Sequence, residues 1–110
     1  MKTCKLLREQ VAAATGSKKA ELVLKNAQIV NVFTQSVETG DIAIEGGYIV
    51  GIGNYEGITE KDLGGAYVCP GFLDGHIHIE SSMTSPGEFE RAVVPHGTIA
   101  VITDPHEIAN

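Results

Sequence analysis

Four side chains with metal and proton chemistry recur at every second position in Asp74-Gly75-His76-Ile77-His78-Ile79-Glu80. A β-strand sends alternate side chains to one face, so Asp74, His76, His78 and Glu80 are expected to point the same way. The intervening Ile77 and Ile79 are β-branched and apolar and suit a core-facing side. Imidazole nitrogens ligate borderline divalent ions such as zinc, manganese and iron. Two of them one strand period apart can close on a single ion without distorting the backbone. His-x-His alone is a weak signal, because two polar residues on a solvated strand face give the same letters. A second cluster, Thr103-Asp104-Pro105-His106-Glu107, follows the next apolar run.

Those residues need elements to hold them. Val68 to Leu73 is an apolar, Gly-containing approach, and Phe72–Ile79 reads as a strand. Ser85-Pro86-Gly87-Glu88 carries a helix start, with serine as cap, proline in the first turn and glutamate three residues on. Phe89, Ala92 and Val93 supply the apolar side of that helix, which must stop near Pro95. Thr98-Ile99-Ala100-Val101-Ile102 is continuously apolar, the pattern of a strand buried on both faces in a parallel sheet. Strand, helix and strand make one right-handed βαβ unit. Both ionisable clusters then lie beyond the carboxyl ends of parallel strands, where α/β folds place active sites. His96 falls at the opposite end, and a structural role is expected for it. Two parallel strands leave unpaired edges, so the sequence reads as the first portion of a larger protein. Residues 1–110 alone are expected to fold poorly or self-associate.

Upstream the grammar differs. Cys4, Leu7, Val11 and Ala14 recur at helical spacing and predict a helix over 2–14, ended by Gly16 and lying as a surface flap. From Ala20 the period is two. Two short strands are expected around Asn26-Ala27, then Asp41–Glu45, a Gly46-Gly47 hairpin turn, Tyr48–Ile52, a loop from Asn54 to Gly65, and a strand at Tyr67–Cys69. The domain reading is a helix over 1–19, a β-sandwich segment over 20–69 and the first βαβ unit of a barrel over 70–110.

Composition excludes several classes. The 110 residues carry a net charge of -6, and five of the eight basic residues lie in the first twenty positions, so no basic stripe marks a nucleic-acid partner. No stretch is long enough for a membrane span. The basic opening lacks the apolar run of a signal peptide and contains Glu9. Cys4 and Cys69 do not make a disulfide scaffold, and a cytoplasmic location is expected.

Pro70-Gly71-Phe72-Leu73-Asp74-Gly75-His76-Ile77-His78 resembles the amidohydrolase superfamily signature on the first barrel strand. The extended run to Met83, with Val93–Thr98 and Asp104–Asn110, resembles the adenine deaminase family within it, from about Ala20 to the end. The one departure is Ile99, where a second threonine is expected after Thr98. The resemblance implies an α/β fold, the start of a metal-dependent (β/α)8 TIM-like barrel preceded by a β-sandwich segment, incomplete in this chain. It implies His76 and His78 as metal ligands and a divalent, binuclear centre, manganese first, with iron or zinc as alternatives. Glu80 and His106 are the candidate catalytic residues. Adenine and water are the implied reactants, hypoxanthine and ammonia the products, with a homo-oligomer of the full-length protein compatible with it. Asp74 is a candidate for orienting a ligand or capping the strand end. Pro70, Gly71 and Gly75 are expected to shape the backbone, Gly75 by allowing close approach. Two other readings stay open: another amidohydrolase acting on a cyclic amide or N-acyl substrate, or a truncated product without activity.

Overall fold

A computed structural model describes residues 3–104 and 106. The chain is α/β and divides into two compact units, residues 1–69 and 70–110, each described by itself. No closed barrel is formed by the described residues.

The first unit is built on a mixed sheet. Helix α1 (Cys4–Ala14) starts where the Thr3 hydroxyl accepts from Leu6 N, and Gly16, at φ 72°, takes the left-handed conformation that ends it. Strand β1 (Ala20–Asn31) is central. It pairs antiparallel with β2 (Ser36–Glu45), and β2 pairs with β3 (Tyr48–Gly53) through Gly46 and Gly47. Both turn glycines have positive φ, as a two-residue hairpin demands. β4 (Gly57–Asp62) and β5 (Tyr67–Val68) lie parallel to successive halves of β1.

Three expectations change here. One continuous strand replaces the two predicted around Asn26-Ala27, because a bulge between Leu24 and Ala27 absorbs Asn26 at φ 57°. The predicted loop over 54–65 contains β4, whose side chains are exposed after Gly57 and so show no apolar alternation. The helix also turns a different face inward. Gln10 and Ala13 are buried, while Cys4, Leu7 and Val11 are exposed. Small Ala13 lets α1 close on Ala20, Val23 and Ala43, with Val50 and Tyr55 packed alongside, and Gln10 Nε2 donates to Glu45 O at 3.2 Å. A second cluster joins Ala27, Ile29 and Ile42 to Leu24, Ile44, Leu63 and Val68.

Asp41 pins the bulge. Its carboxylate accepts from Lys25 Nζ, from Asn26 N at 3.1 Å and from Tyr55 N at 3.2 Å. Burial would raise the Asp41 pKa, but these hydrogen bonds and the Lys25 charge outweigh it and hold the carboxyl below its ordinary range.

The second unit is a βαβ segment. β6 (Phe72–Ile77) and β7 (Thr98–Thr103) are parallel and joined through helix α2 (Pro86–Val93), whose Ser85 cap accepts from Glu88 N at 3.4 Å. A 3-10 turn, Val94–His96, ends at Gly97 with φ 96°. β7 is not buried on both faces as predicted. Ile99 and Ile102 are each 67% exposed, because among the described residues β7 has β6 as its sole strand neighbour.

Candidate metal and proton-transfer site

Register explains the site. Ile77 pairs with Thr103 across β6 and β7, so His78 and Asp104, each one residue further on, leave the sheet side by side. The strand ends before the alternating pattern does. His78 is still extended at φ -109° and ψ 99°, but Ile79–Ser82 winds into a 3-10 turn that contains Glu80. His76 and His78 therefore meet as predicted, and Glu80 approaches His78 from the turn rather than from the strand face.

The two imidazoles converge through Nε2 atoms 3.0 Å apart, with ring centroids at 4.8 Å and planes at 76°. His78 Nδ1 lies 2.8 Å from the Asp104 carbonyl oxygen. A carbonyl can only accept, so this nitrogen carries the proton and Nε2 of neutral His78 presents its lone pair. His76 Nε2 is then the donor between the rings. Glu80 Oε1 is 3.7 Å from His78 Nδ1, beyond hydrogen-bond reach, and the Glu80 side chain is 7% exposed.

His106 stands over the second strand end. Its Nδ1 is 3.0 Å from Asp104 Oδ2, and its ring meets that of His78 edge-on at 4.8 Å and 80°. Among the described residues Asp74 is not seen to touch a ring nitrogen. Its Oδ1 accepts from His76 N at 3.1 Å and closes the local backbone. The acceptor that orients His78 is instead the Asp104 main chain, which sequence reasoning missed because no side-chain letter records a carbonyl. Among the described residues a Cβ at Gly75 would meet nothing within 4 Å, whereas one at Gly71 would lie 2.6 Å from Ile99 Cγ2. His96 is exposed at the far end of the sheet. Glu107 lies outside the described residues, as does Pro105.

The donor set suits a divalent ion in part. Nitrogens each about 2.1 Å from one ion stand roughly 3.0–3.4 Å apart, and the observed separation falls at the near end of that span. Holding an ion would require the proton on His76 Nε2 to leave. Among the described residues, no group of three or more His, Cys, Asp or Glu is arranged to hold a metal. The two converging imidazoles fall short of that number.

Residues 67–110 match the Amidohydrolase family, and the chain shows homology to the amidohydrolase superfamily. Within it the homology is of the adenine-deaminase kind. Over 106 residues the chain is 59% identical to adenine deaminase 2 of Carboxydothermus hydrogenoformans, covering 96% of this chain and 19% of that protein. It is 59% identical to adenine deaminase of Geobacillus kaustophilus, covering 94% and 18%. The chain thus spans less than a fifth of these relatives' length. An L-hydantoinase (dihydropyrimidinase) from Arthrobacter aurescens shares the fold, with a TM-score of 0.62 and 21% identity over 78% of this chain and 21% of that one.

Proposed function

We propose that this chain contributes the first metal-binding strand of a hydrolase that converts adenine and water to hypoxanthine and ammonia. The observation that carries the proposal is the pair of converging Nε2 atoms 3.0 Å apart, with His78 held in the ligand tautomer by a main-chain acceptor. Homology to adenine deaminases supports the substrate. His76 and His78 would hold the ion. A divalent ion there supplies the Lewis acidity that makes water a nucleophile at neutral pH.

Other steps fall to the chain's own groups. Glu80, enclosed beside His78, is the first candidate to take or return a proton at its carboxylate. His106, more than half exposed and edge-on to the His78 ring, is the second candidate proton carrier. The preferred centre is binuclear manganese, with iron or zinc as alternatives. Further ligands and the purine pocket are proposed to come from residues outside these 110, so residues 1–110 alone are expected to be inactive.

The test is ammonia release by the protein purified from its own cell and loaded with manganese. Adenine is offered beside a hydantoin and an N-acyl amino acid. Turnover of adenine alone is expected. Turnover of a cyclic amide or N-acyl substrate with adenine untouched would replace the proposal with another amidohydrolase activity.

A further inference from the structure

We propose that Asp104 and His106 are positioning residues for His78, a role that rests on the metal reading above and extends it to the end of the second strand. Three contacts surround the His78 ring. Its Nε2 faces His76, its Nδ1 donates to the Asp104 carbonyl at 2.8 Å, and its side meets the His106 ring edge-on at 4.8 Å. His106 is in turn tied to the Asp104 carboxylate at 3.0 Å. Asp104 thus acts twice: its main chain fixes which His78 nitrogen bears the proton, and its side chain holds the ring that blocks His78 from flipping.

The consequence is tautomer control. An imidazole free to rotate by half a turn would put carbon and the wrong nitrogen toward the ion. Partners of this kind set ring orientation and ligand basicity, and their loss typically costs about 10–100-fold in metal affinity. The register Ile77–Thr103 brings the Asp104 carbonyl closer to that nitrogen than the Glu80 carboxylate, which lies at 3.7 Å.

Among the described residues the Asp104 and His106 side chains are 68% and 60% exposed, and a melting curve of each variant checks that its fold is retained. The experiment uses the full protein as its gene encodes it, with 15N-labelled histidine, first metal-free and then titrated with Mn2+ against a competing chelator. In the unaltered protein His78 is expected as the Nδ1–H tautomer. Asp104→Ala and His106→Ala each bring in an Nε2–H population and weaken Mn2+ binding about tenfold. Asp104→Asn, which keeps an acceptor oxygen for His106, restores much of both. Glu88→Gln on α2 changes neither.

An Nε2–H His78 in the unaltered protein overturns the proposal. So do unchanged tautomer and affinity in both alanine variants. Tautomers that respond as expected while no form binds Mn2+ would uphold the positioning and remove the metal reading on which its purpose rests.

Discussion

Replacing Asp41 by asparagine should destabilise the first unit more than any other isosteric change in it. The side chain is buried, and both its oxygens are used. In the variant the amide oxygen can serve Asn26 N, but the new NH2 group then opposes Tyr55 N and Lys25 Nζ. Leaving a buried N–H without an acceptor costs about 1–3 kcal/mol, and exchanging a charged for a neutral acceptor at Asn26 about 1 kcal/mol more. The Lys25 ammonium is partly exposed, so water replaces most of its share and none is added. The sum is about 3 kcal/mol, or roughly 12–24 °C in melting temperature at 4–8 °C per kcal/mol for a unit of this size. Circular dichroism melts of the two proteins at neutral pH measure it.

A pH series adds a second readout. The folded Asp41 pKa is lowered, so the unfolded chain binds more protons in the acid range. The contribution is complete above the unfolded carboxyl value near 4 and is lost as pH falls through the folded value. The asparagine variant should lack that part of the acid dependence. A melting shift under about 5 °C, with an unchanged acid limb, would refute the reasoning that Asp41 pins the bulge.

Four further outcomes follow from the same geometry. Val23→Ala removes two methyl groups from a site with no exposure and should cost about 2 kcal/mol in urea unfolding of the first unit. Gly57→Ala would set a Cβ 2.5 Å from Thr59 O and 3.0 Å from Val23 Cγ2; a loss of about 1–3 kcal/mol in the same assay is expected, since backbone cannot step aside cheaply. Residues 1–110 expressed alone should bind a dye such as ANS and self-associate in sedimentation, because Phe72, Leu73, Ile99 and Ile102 are all at least 60% exposed. Glu80→Gln should lower the rate of ammonia release from adenine by about 100-fold while leaving manganese content unchanged, the signature of a proton carrier rather than a ligand.

Much of the second unit was legible because its signals are local. Ser85, Pro86 and Glu88 spell a helix start, and the parallel pairing follows from strand, helix and strand in that order. The Gly46-Gly47 turn was equally plain. β4 was not, since Gly-Ile-Thr-Glu-Lys-Asp is held by main-chain pairing along β1 and shows its side chains to solvent. Asn26-Ala27 reads as a turn, yet Asp41 supplies an acceptor from fifteen residues away that keeps the strand continuous. The α1 face was misread because a small residue, Ala13, and a hydrogen-bonded glutamine pack where larger apolar residues do not.

The candidate site divides along the same line. His76 and His78 were readable as a pair from spacing and strand propensity. Glu80 left the expected face because the strand gives way to a 3-10 turn at Ile79. The Asp104 carbonyl was invisible to any reading of side chains, and the register that brings it to His78 depends on irregularities at Phe72/Leu73 and Asp74/Ile77 that the pattern does not show.

The most direct test of the central claim is the metal content of the full protein, measured beside ammonia release from adenine, for the unaltered form and for His76→Ala and His78→Ala. Bound manganese and turnover are expected in the first, and loss of both in each variant with the melting temperature retained. Unaltered metal content and near-normal ammonia release in either variant would contradict that claim.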